Sequence, residues 1–267
     1  MRVLIIGDVL SKTGRSALSR GLPSLRERLG VDLCTANVEN GAGMFGVTRQ
    51  VVEEISRSGV DVMTSGNHIF DKREGMALLD DRADLLRPAN YPPGVPGRGW
   101  MIGEAGGIPY CVINLQGRTF MADIDCPFRA ADRIVAEIPR DVKVRIVDFH
   151  AEATSEKLAL AYYLAGRVSV VAGTHTHVPT ADERILPGGT AYQTDVGMAG
   201  PFDSVIGVRP EQVIERFLTG IPVRFQVGGG SACIEGLYIE IDDATGEAVR
   251  AERIDERIDE GDIHAEG

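Results

Sequence analysis

Short apolar runs rich in Val and Ile alternate along this chain with longer segments in which apolar residues recur at helical spacing. The runs at 3–6, 32–38, 60–64, 143–149 and 168–172 predict buried strands. The segments at 16–29, 47–58, 129–138 and 155–165 predict helices. Strands that alternate with helices in this way are typical of an α/β fold with much parallel sheet.

Two stretches interrupt this alternation. Residues 100–115 and 232–241 predict strands without helices between them, which suggests a second, mixed sheet packed against the first. The chain has no internal repeat and no Pro/Ser-rich linker, so we expect residues 1–267 to form a single domain. The segment from about residue 254 is acidic and predicts a solvated tail, which we expect to be mobile from about residue 258.

The charge balance and the apolar pattern exclude several classes of protein. With 28 Lys and Arg against 39 Asp and Glu, the net charge of −11 argues against a stable complex with nucleic acid. No apolar run approaches the roughly 18 residues of a membrane span, so no membrane partner is expected. The apolar start is too short for a signal peptide, and Cys34, Cys111 and Cys233 lie in strand-like runs typical of free thiols. These features predict a cytoplasmic protein.

Side chains that bind metals follow five of the predicted strands. The carboxyl ends of strands in an α/β sheet form the edge at which ligands bind, so we expect these side chains to share one crevice. A single Asp or His at such a place is more often a helix cap or a structural residue, and only the combined set favours a site. In chain order its members are Asp8, Glu39, Asn40, Asn67, His68, His150, His175 and His177.

The donor types narrow the choice of metal. Imidazole, carboxylate and amide groups without thiolate favour iron, manganese, zinc or cobalt over a structural zinc site. The donors are too many for one ion, but they fit two ions about 3.5–4 Å apart that share a carboxylate. Two divalent ions would make the crevice locally positive, so it would attract a phosphate group despite the net charge of −11.

Five phrases of the sequence carry a family resemblance. Gly7-Asp8, Glu39-Asn40, Gly66-Asn67-His68, His150 and Gly173-Thr174-His175-Thr176-His177 together resemble the motifs of the calcineurin-like metallophosphoesterases. The phrases at 120–123, 153–157 and 194–198 are similar to those of a bacterial branch, the 2′,3′-cyclic-nucleotide 2′-phosphodiesterases, and the resemblance covers nearly the whole chain. It implies a four-layer αββα sandwich of two mixed sheets flanked by helices, with a dinuclear metal centre between the sheets.

The resemblance also implies a role for each candidate residue. It places one metal among Asp8, Glu39, Asn40 and His177, and the other among Glu39, Asn67, His150 and His175. Glu39 would bridge the two metals, and His68 would donate a proton. The superfamily's first motif reads Asp-x-His, but here Leu10 stands at the His position, and Asn40 is expected to supply the replacement oxygen. An amide oxygen is a harder donor than imidazole, so we expect iron or manganese more readily than zinc.

The activity implied by the resemblance is hydrolysis of 2′,3′-cyclic nucleotides to 3′-nucleotides. It would use two metal ions per chain, most readily iron or manganese, a metal-activated hydroxide and His68 as general acid. The substrate would be a small cyclic nucleotide, and the family's symmetric oligomers imply a homo-oligomer. Two alternatives stay open: another phosphoesterase activity, on phosphoproteins or nucleic acids, and a regulatory protein with a non-catalytic metal site.

Two other motifs are incomplete. The segment 41–46 satisfies the GxGxxG pattern of dinucleotide-binding folds, but the next predicted strand ends in Gly66-Asn67-His68 without the acid that such a fold requires. The segment 7–10 is similar to the nucleophile block of the GDSL hydrolases, but Val9 stands where that block needs Ser.

Overall fold

The computed structural model describes residues 1–259, which form twelve strands and six helices. The strands are β1 (Arg2–Val9), β2 (Leu33–Asn37), β3 (Val62–Thr64), β4 (Trp100–Ala105), β5 (Ile108–Gln116), β6 (Val144–His150), β7 (Val170–Thr174), β8 (Arg184–Leu186), β9 (Thr190–Gln193), β10 (Met198–Pro201), β11 (Ala232–Ile241) and β12 (Ala248–Ile258). The helices are α1 (Ser11–Leu29), α2 (Arg49–Arg57), α3 (Arg73–Asp81), α4 (Pro127–Glu137), α5 (Thr154–Leu164) and α6 (Pro210–Thr219).

The strands form two mixed sheets of six strands each within the described part of the chain. The first sheet has the order β12-β11-β10-β1-β2-β3, in which β1 runs parallel to β2 and β10 and antiparallel to β11. The second has the order β4-β5-β6-β7-β9-β8, with a parallel centre from β5 to β9. Parallel strands need both faces covered, and this explains their continuous apolar runs.

Each sheet buries both of its faces. On β1, Val3 and Ile5 pack between the sheets against residues such as Val112 and Ile146, whereas Leu4 faces a core shared with α1, α2 and α3. This alternation follows from the two-residue period of a strand. The outer face of the second sheet packs on α4 and α5. The helix and sheet layers therefore form the predicted αββα sandwich of two mixed sheets flanked by helices, and that prediction is confirmed.

The assignment of strands to sheets is partly wrong in the sequence-based prediction. We expected 100–115 and 232–241 to share the second sheet, but β11 pairs with β1 in the first sheet, where Val3 lies opposite Ile239. The five polar strand ends also come from two sheets, β1 to β3 in one and β6 and β7 in the other. An apolar run predicts that a strand is buried on both faces, but it does not say which neighbour it pairs with.

Two short helices and the end of the chain differ from expectation. The sequence-based prediction lacks helices α3 and α6. In α6 only Val213 is buried, and the apolar residues Ile214, Phe217 and Leu218 are exposed. The acidic segment from about residue 254 is strand as far as Ile258, because β12 pairs with β11. The rest of the predicted tail, from residue 260, lies outside the described residues. Among residues 1–259, no helix has both the length and the apolar character needed to span a bilayer.

Candidate metal centre between the two sheets

All eight candidate residues lie at or just after the ends of β1, β2, β3, β6 and β7. Because the two sheets are stacked, the ends of the first three strands face the ends of the other two. The crevice predicted at one sheet edge is therefore a cleft between two sheets. Each sheet contributes part of the donor set, with acids and amides from the first sheet and imidazoles mainly from the second.

His150 Nε2 is at the centre of a group of four donor atoms. It lies 3.1 Å from Glu39 Oε1, 3.1 Å from Asn67 Oδ1 and 3.0 Å from His175 Nδ1. Neighbouring ligands of an octahedral ion that binds at about 2.1 Å are separated by about 3 Å, the spacing found here. These four atoms therefore fit the ligand shell of one metal ion.

A second group surrounds Asp8, which is fully buried. Its Oδ1 lies 3.7 Å from His177 Nε2 and 3.8 Å from His150 Nδ1. Asp8 Oδ1 and Asn40 Oδ1 are buried and have no hydrogen-bond partner. A buried oxygen without a partner costs about 1–3 kcal/mol, so two of them beside imidazoles fit a cation better than an empty polar pocket. The donor atoms of Glu39, His150 and His175 all lie within 4.8 Å of one another and could hold a metal ion. The oxygens of Asp8 and Asn40 are further candidate ligands of a cation.

The electrostatics keep both carboxylates ionised. Burial by itself would raise the pKa of Asp8, but the charges of His177 and His150 hold that pKa below its usual range. Burial likewise acts to raise the pKa of Glu39, and the charge and hydrogen bond of His150 lower it instead. Burial and the nearby charge of His150 lower the pKa of His175 to about 4, so this ring is neutral near pH 7 and has a free lone pair.

Polar partners outside the donor set orient two of the imidazoles. His177 Nδ1 donates to the carbonyl oxygen of Ile206, 3.1 Å away, which leaves Nε2 facing Asp8. His175 Nε2 lies 3.0 Å from Glu152 Oε2, which leaves Nδ1 facing His150. Metal-binding histidines usually have such a partner on the other ring nitrogen. Sequence reasoning missed both partners. Glu152, two residues beyond His150, is visible as a strand-end acid, but a backbone carbonyl has no signal in the sequence.

Gly66 makes room for the ring of His150. A Cβ at this position would lie 2.0 Å from His150 Cδ2, far closer than two carbons can approach. On its other side, His150 places Nδ1 3.0 Å from the hydroxyl of Thr174. The ring is therefore held between the end of β3 and the end of β7.

His68 lies beside the converging donors rather than among them. Its backbone N–H donates to Glu39 Oε2 at 2.8 Å, and its ring Nδ1 lies 2.8 Å from Asp71 Oδ2. The ring is partly exposed, and its centre lies 4.3 Å from that of Phe45. Sequence reasoning missed Asp71, whose position three residues after His68 is the only available signal. The arrangement orients the imidazole and leaves its Nε2 for a ligand in the cleft.

The loop after β7 is held in an unfavourable backbone conformation. His175 and His177 have φ values of 101° and 61°, in a backbone region that residues other than glycine rarely adopt. Between them, Thr176 donates its N–H and its hydroxyl to Asp195 Oδ2, at 3.0 Å and 2.7 Å. Asp195 is in turn paired with Lys157. These contacts stabilise the turn that directs both imidazoles into the cleft.

Comparison with known proteins gives relatives that match over nearly the whole chain. A 2′,3′-cyclic-nucleotide 2′-phosphodiesterase of Bacillus subtilis (strain 168) is 48% identical over 254 residues, which cover 95% of this chain and 96% of the relative. The crystal structure of a hypothetical protein from Thermus thermophilus is 44% identical, with a TM-score of 0.90 over 97% of this chain and all of that one. A structure described as a novel phosphatase from Mycoplasma pneumoniae is 34% identical, with a TM-score of 0.91 over 98% and 96% of the two chains.

These relatives confirm the resemblance predicted from the sequence. A family model described as YmdB-like protein matches residues 4–254, which include every candidate donor and nearly all of both sheets. The chain belongs to the YmdB-like protein family.

Proposed function

We propose that this protein hydrolyses 2′,3′-cyclic nucleotides to 3′-nucleotides at a centre of two metal ions, with His68 as general acid. Two buried, unpartnered oxygens, of Asp8 and Asn40, carry the proposal together with the three donor atoms that converge on His150 Nε2. The chain is a hydrolase, since it shares 48% identity over 95% of its length with a phosphodiesterase.

The donors divide into two ligand sets in this proposal. One set would comprise Asp8, Glu39, Asn40 and His177, and the other Glu39, Asn67, His150 and His175. Glu39 would belong to both sets, because a carboxylate has two oxygens. When bound, the ions supply positive charge that neutralises the phosphate and lowers the pKa of water. The oxygen-rich first set favours iron or manganese.

In this proposal, side chains of the protein protonate the leaving oxygen. Asp71 holds Nδ1 of His68, so that Nε2 can present a proton to the departing 2′-oxygen. The backbone N–H of His68 donates to Glu39, so the position of the acid is tied to that of the bridging carboxylate. A positioned acid of this kind contributes about 10²–10⁴ in rate.

The state of the cysteines bears on the cellular location of the protein. All four cysteines are free, and Cys34, Cys111 and Cys233 are buried. Free thiols are typical of a reducing compartment, which supports our proposal that the protein acts in the cytoplasm.

Metal analysis combined with an activity assay tests the proposal. Protein purified without chelator should contain about two iron or manganese ions per chain, and it should convert 2′,3′-cyclic AMP to the 3′-nucleotide. A chelator should abolish turnover, and added manganese or iron should restore it. Folded protein that stays inactive on cyclic nucleotides after metal is added would overturn the proposal. Faster turnover of an oligonucleotide or a phosphopeptide would favour one of the alternative phosphoesterase activities.

A further inference from the structure

A cleft of about 210 Å³ opens directly beside the candidate metal centre. Five of its lining residues belong to the proposed machinery, and we call them the polar end: Glu39, Asn40, His68, His175 and His177. The other six are apolar, and we call them the apolar end: Leu10, Met44, Phe45, Ile206, Val208 and Phe225. The lining includes no Lys or Arg. The cleft therefore combines polar groups suited to a phosphate with an apolar surface suited to an uncharged group.

Two phenylalanines from distant parts of the chain line the apolar end. Phe45 lies in the loop between β2 and α2, is 46% exposed and stands next to the ring of His68. Phe225 lies in the segment after α6 and is half-buried. The guanidinium of Arg216 lies 5.3 Å from the centre of the Phe225 ring. Both rings nevertheless line the cleft and keep part of their surface in contact with water, which points to a ligand with an aromatic or apolar face.

The segment that carries Phe225 is fixed by backbone hydrogen bonds. Arg209 N–H donates to the carbonyl oxygen of Gln226 at 3.1 Å, and Gly228 N–H donates to that of Gly207 at 2.9 Å. The same stretch contains Ile206, whose carbonyl oxygen accepts from His177. The apolar end and the metal-binding end are thus parts of one connected structure, and the apolar lining is formed before any ligand arrives.

We infer that the apolar end of this cleft, with Phe45 and Phe225, binds the nucleobase of the substrate. The inference rests on the proposed function, which places the cyclic phosphate at the polar end. A base is planar, aromatic and uncharged, as this lining requires. A volume of 210 Å³ lies below the roughly 300–1,000 Å³ of sites for drug-sized ligands, so it suits one base with its ribose.

The lining also predicts which bases are accepted. Its apolar end presents no side-chain hydrogen-bond donor or acceptor that could distinguish the edges of the bases. Stacking on an aromatic ring is tolerant of base identity, because every base has a π-face. All four 2′,3′-cyclic nucleotides should therefore be substrates, and the base should contribute mainly through stacking.

A pair of substrates isolates the contribution of the base. The value of kcat/KM is measured for 2′,3′-cyclic AMP and for the 2,3-cyclic phosphate of methyl riboside, which lacks a base. The ratio of the two cancels any change in the chemical step that both substrates share. Wild-type protein, Phe45→Ala, Phe225→Ala and Phe225→Leu are compared. Phe217→Ala is the control, because Phe217 is 85% exposed on α6 and does not line the cleft.

In wild-type protein and in the control, kcat/KM should be higher for 2′,3′-cyclic AMP than for the substrate without a base. Each alanine variant should lower the ratio of these two values by roughly 5- to 100-fold, the effect of losing one stacking partner. Phe225→Leu keeps the apolar surface but loses the ring, so its ratio should lie between those of wild-type protein and Phe225→Ala. An unchanged ratio in both alanine variants overturns the inference.

Equilibrium binding separates this inference from the proposed function. Adenosine, which has a base but no phosphate, is titrated calorimetrically into wild-type protein and into Phe225→Ala. Weaker binding by the variant supports the base site even if wild-type protein hydrolyses neither cyclic phosphate, a result that would count against the proposed function alone. Equal binding of adenosine by both proteins counts against the base site.

Discussion

The ammonium group of Lys157 lies 2.7 Å from Asp195 Oδ2, and both side chains are buried. Asp195 also accepts hydrogen bonds from Thr176 and from the N–H of Gly197. A buried ion pair rarely adds net stability over an apolar pair, because two charges must leave water. The contribution of this one is positional, since it fixes Thr176 between the two imidazoles of the loop after β7.

Replacing Lys157 by Met should destabilise the protein strongly. The carboxylate of Asp195 would remain buried without its cation, which typically costs about 3–5 kcal/mol. Urea unfolding should report this loss. A metal titration should report weaker binding, because Asp195, which accepts the hydrogen bonds of Thr176, would lose the cation that fixes its position. Lys143→Met, at an exposed position, should change stability by less than about 0.5 kcal/mol.

A double variant distinguishes a lost charge pair from lost packing. Lys157→Met combined with Asp195→Asn removes both charges and should recover part of the free energy of unfolding. If the single variant unfolds at the wild-type urea concentration, the pair does not have the role assigned to it.

Gly66→Ala should weaken metal binding while the fold is kept. The new methyl group would need the space of His150 Cδ2, 2.0 Å away, and the buried ring would have to move away from Glu39 and Asn67. Overpacking of this kind costs about 1–3 kcal/mol. Thermal unfolding and metal titration measure the two effects. Gly229→Ala is the matched control, because a Cβ there meets nothing within 4 Å, and normal metal affinity in Gly66→Ala would contradict the prediction.

Asp71→Asn should lower kcat without loss of metal. The carboxylate of Asp71 contacts Nδ1 of the His68 ring, so Asp71→Asn should misorient the acid and leave the proposed donor atoms in place. The loss should be smaller than that of His68→Ala, for which we expect about 10²–10⁴. Steady-state kinetics and elemental analysis provide the two readouts. Asp81→Asn, at an exposed position paired with Arg49, serves as the control, and full turnover by Asp71→Asn would argue against this role.

Glu235 should make stability depend on pH. Burial raises the pKa of its carboxyl from 4.5 to about 7 in the folded protein, although its Oε2 accepts from the N–H of Met198. The folded state therefore binds this proton more tightly than the unfolded state does. The resulting stability is fully present below pH 4.5 and is lost as the pH rises through about 7.

Glu235→Gln removes this titration and keeps an oxygen for Met198. Relative to wild-type protein, the variant should gain stability from pH 5 to pH 8, as measured by the free energy of unfolding at each pH. Glu211→Gln, at an exposed position on α6, should show the same change of unfolding free energy with pH as wild-type protein. A difference between Glu235→Gln and wild-type protein that does not change with pH would refute the prediction.

The α/β class and the candidate donors could be predicted from the sequence for a physical reason. Parallel strands are buried on both faces, so their sequences are continuous apolar runs. A polar donor directly after such a run is easily recognised. Asp8, Asn67 and His150 are examples, and the structure brings them into one cleft. Their roles as metal ligands remain predictions.

The groups that orient the donors could not be predicted from the sequence in this way. The carbonyl of Ile206 belongs to the backbone, and Asp195 lies 19 residues from the Thr176 that it holds. The base site joins Phe45 to Phe225 through tertiary structure alone. The pairing of β11 with β1 was missed for the same reason, because spacing along the chain carries no information about contacts so remote.

The pairing of β11 with β1 has a consequence for synthesis of the protein on the ribosome. Strand β1, which ends near Asp8, is made first, but its neighbours β10 and β11 come from residues 198–201 and 232–241. The first sheet can be completed only when nearly the whole polypeptide has emerged. A chain that ended before β10 would carry every proposed donor and still lack two strands that pair with β1, so the proposed site would be completed late in synthesis.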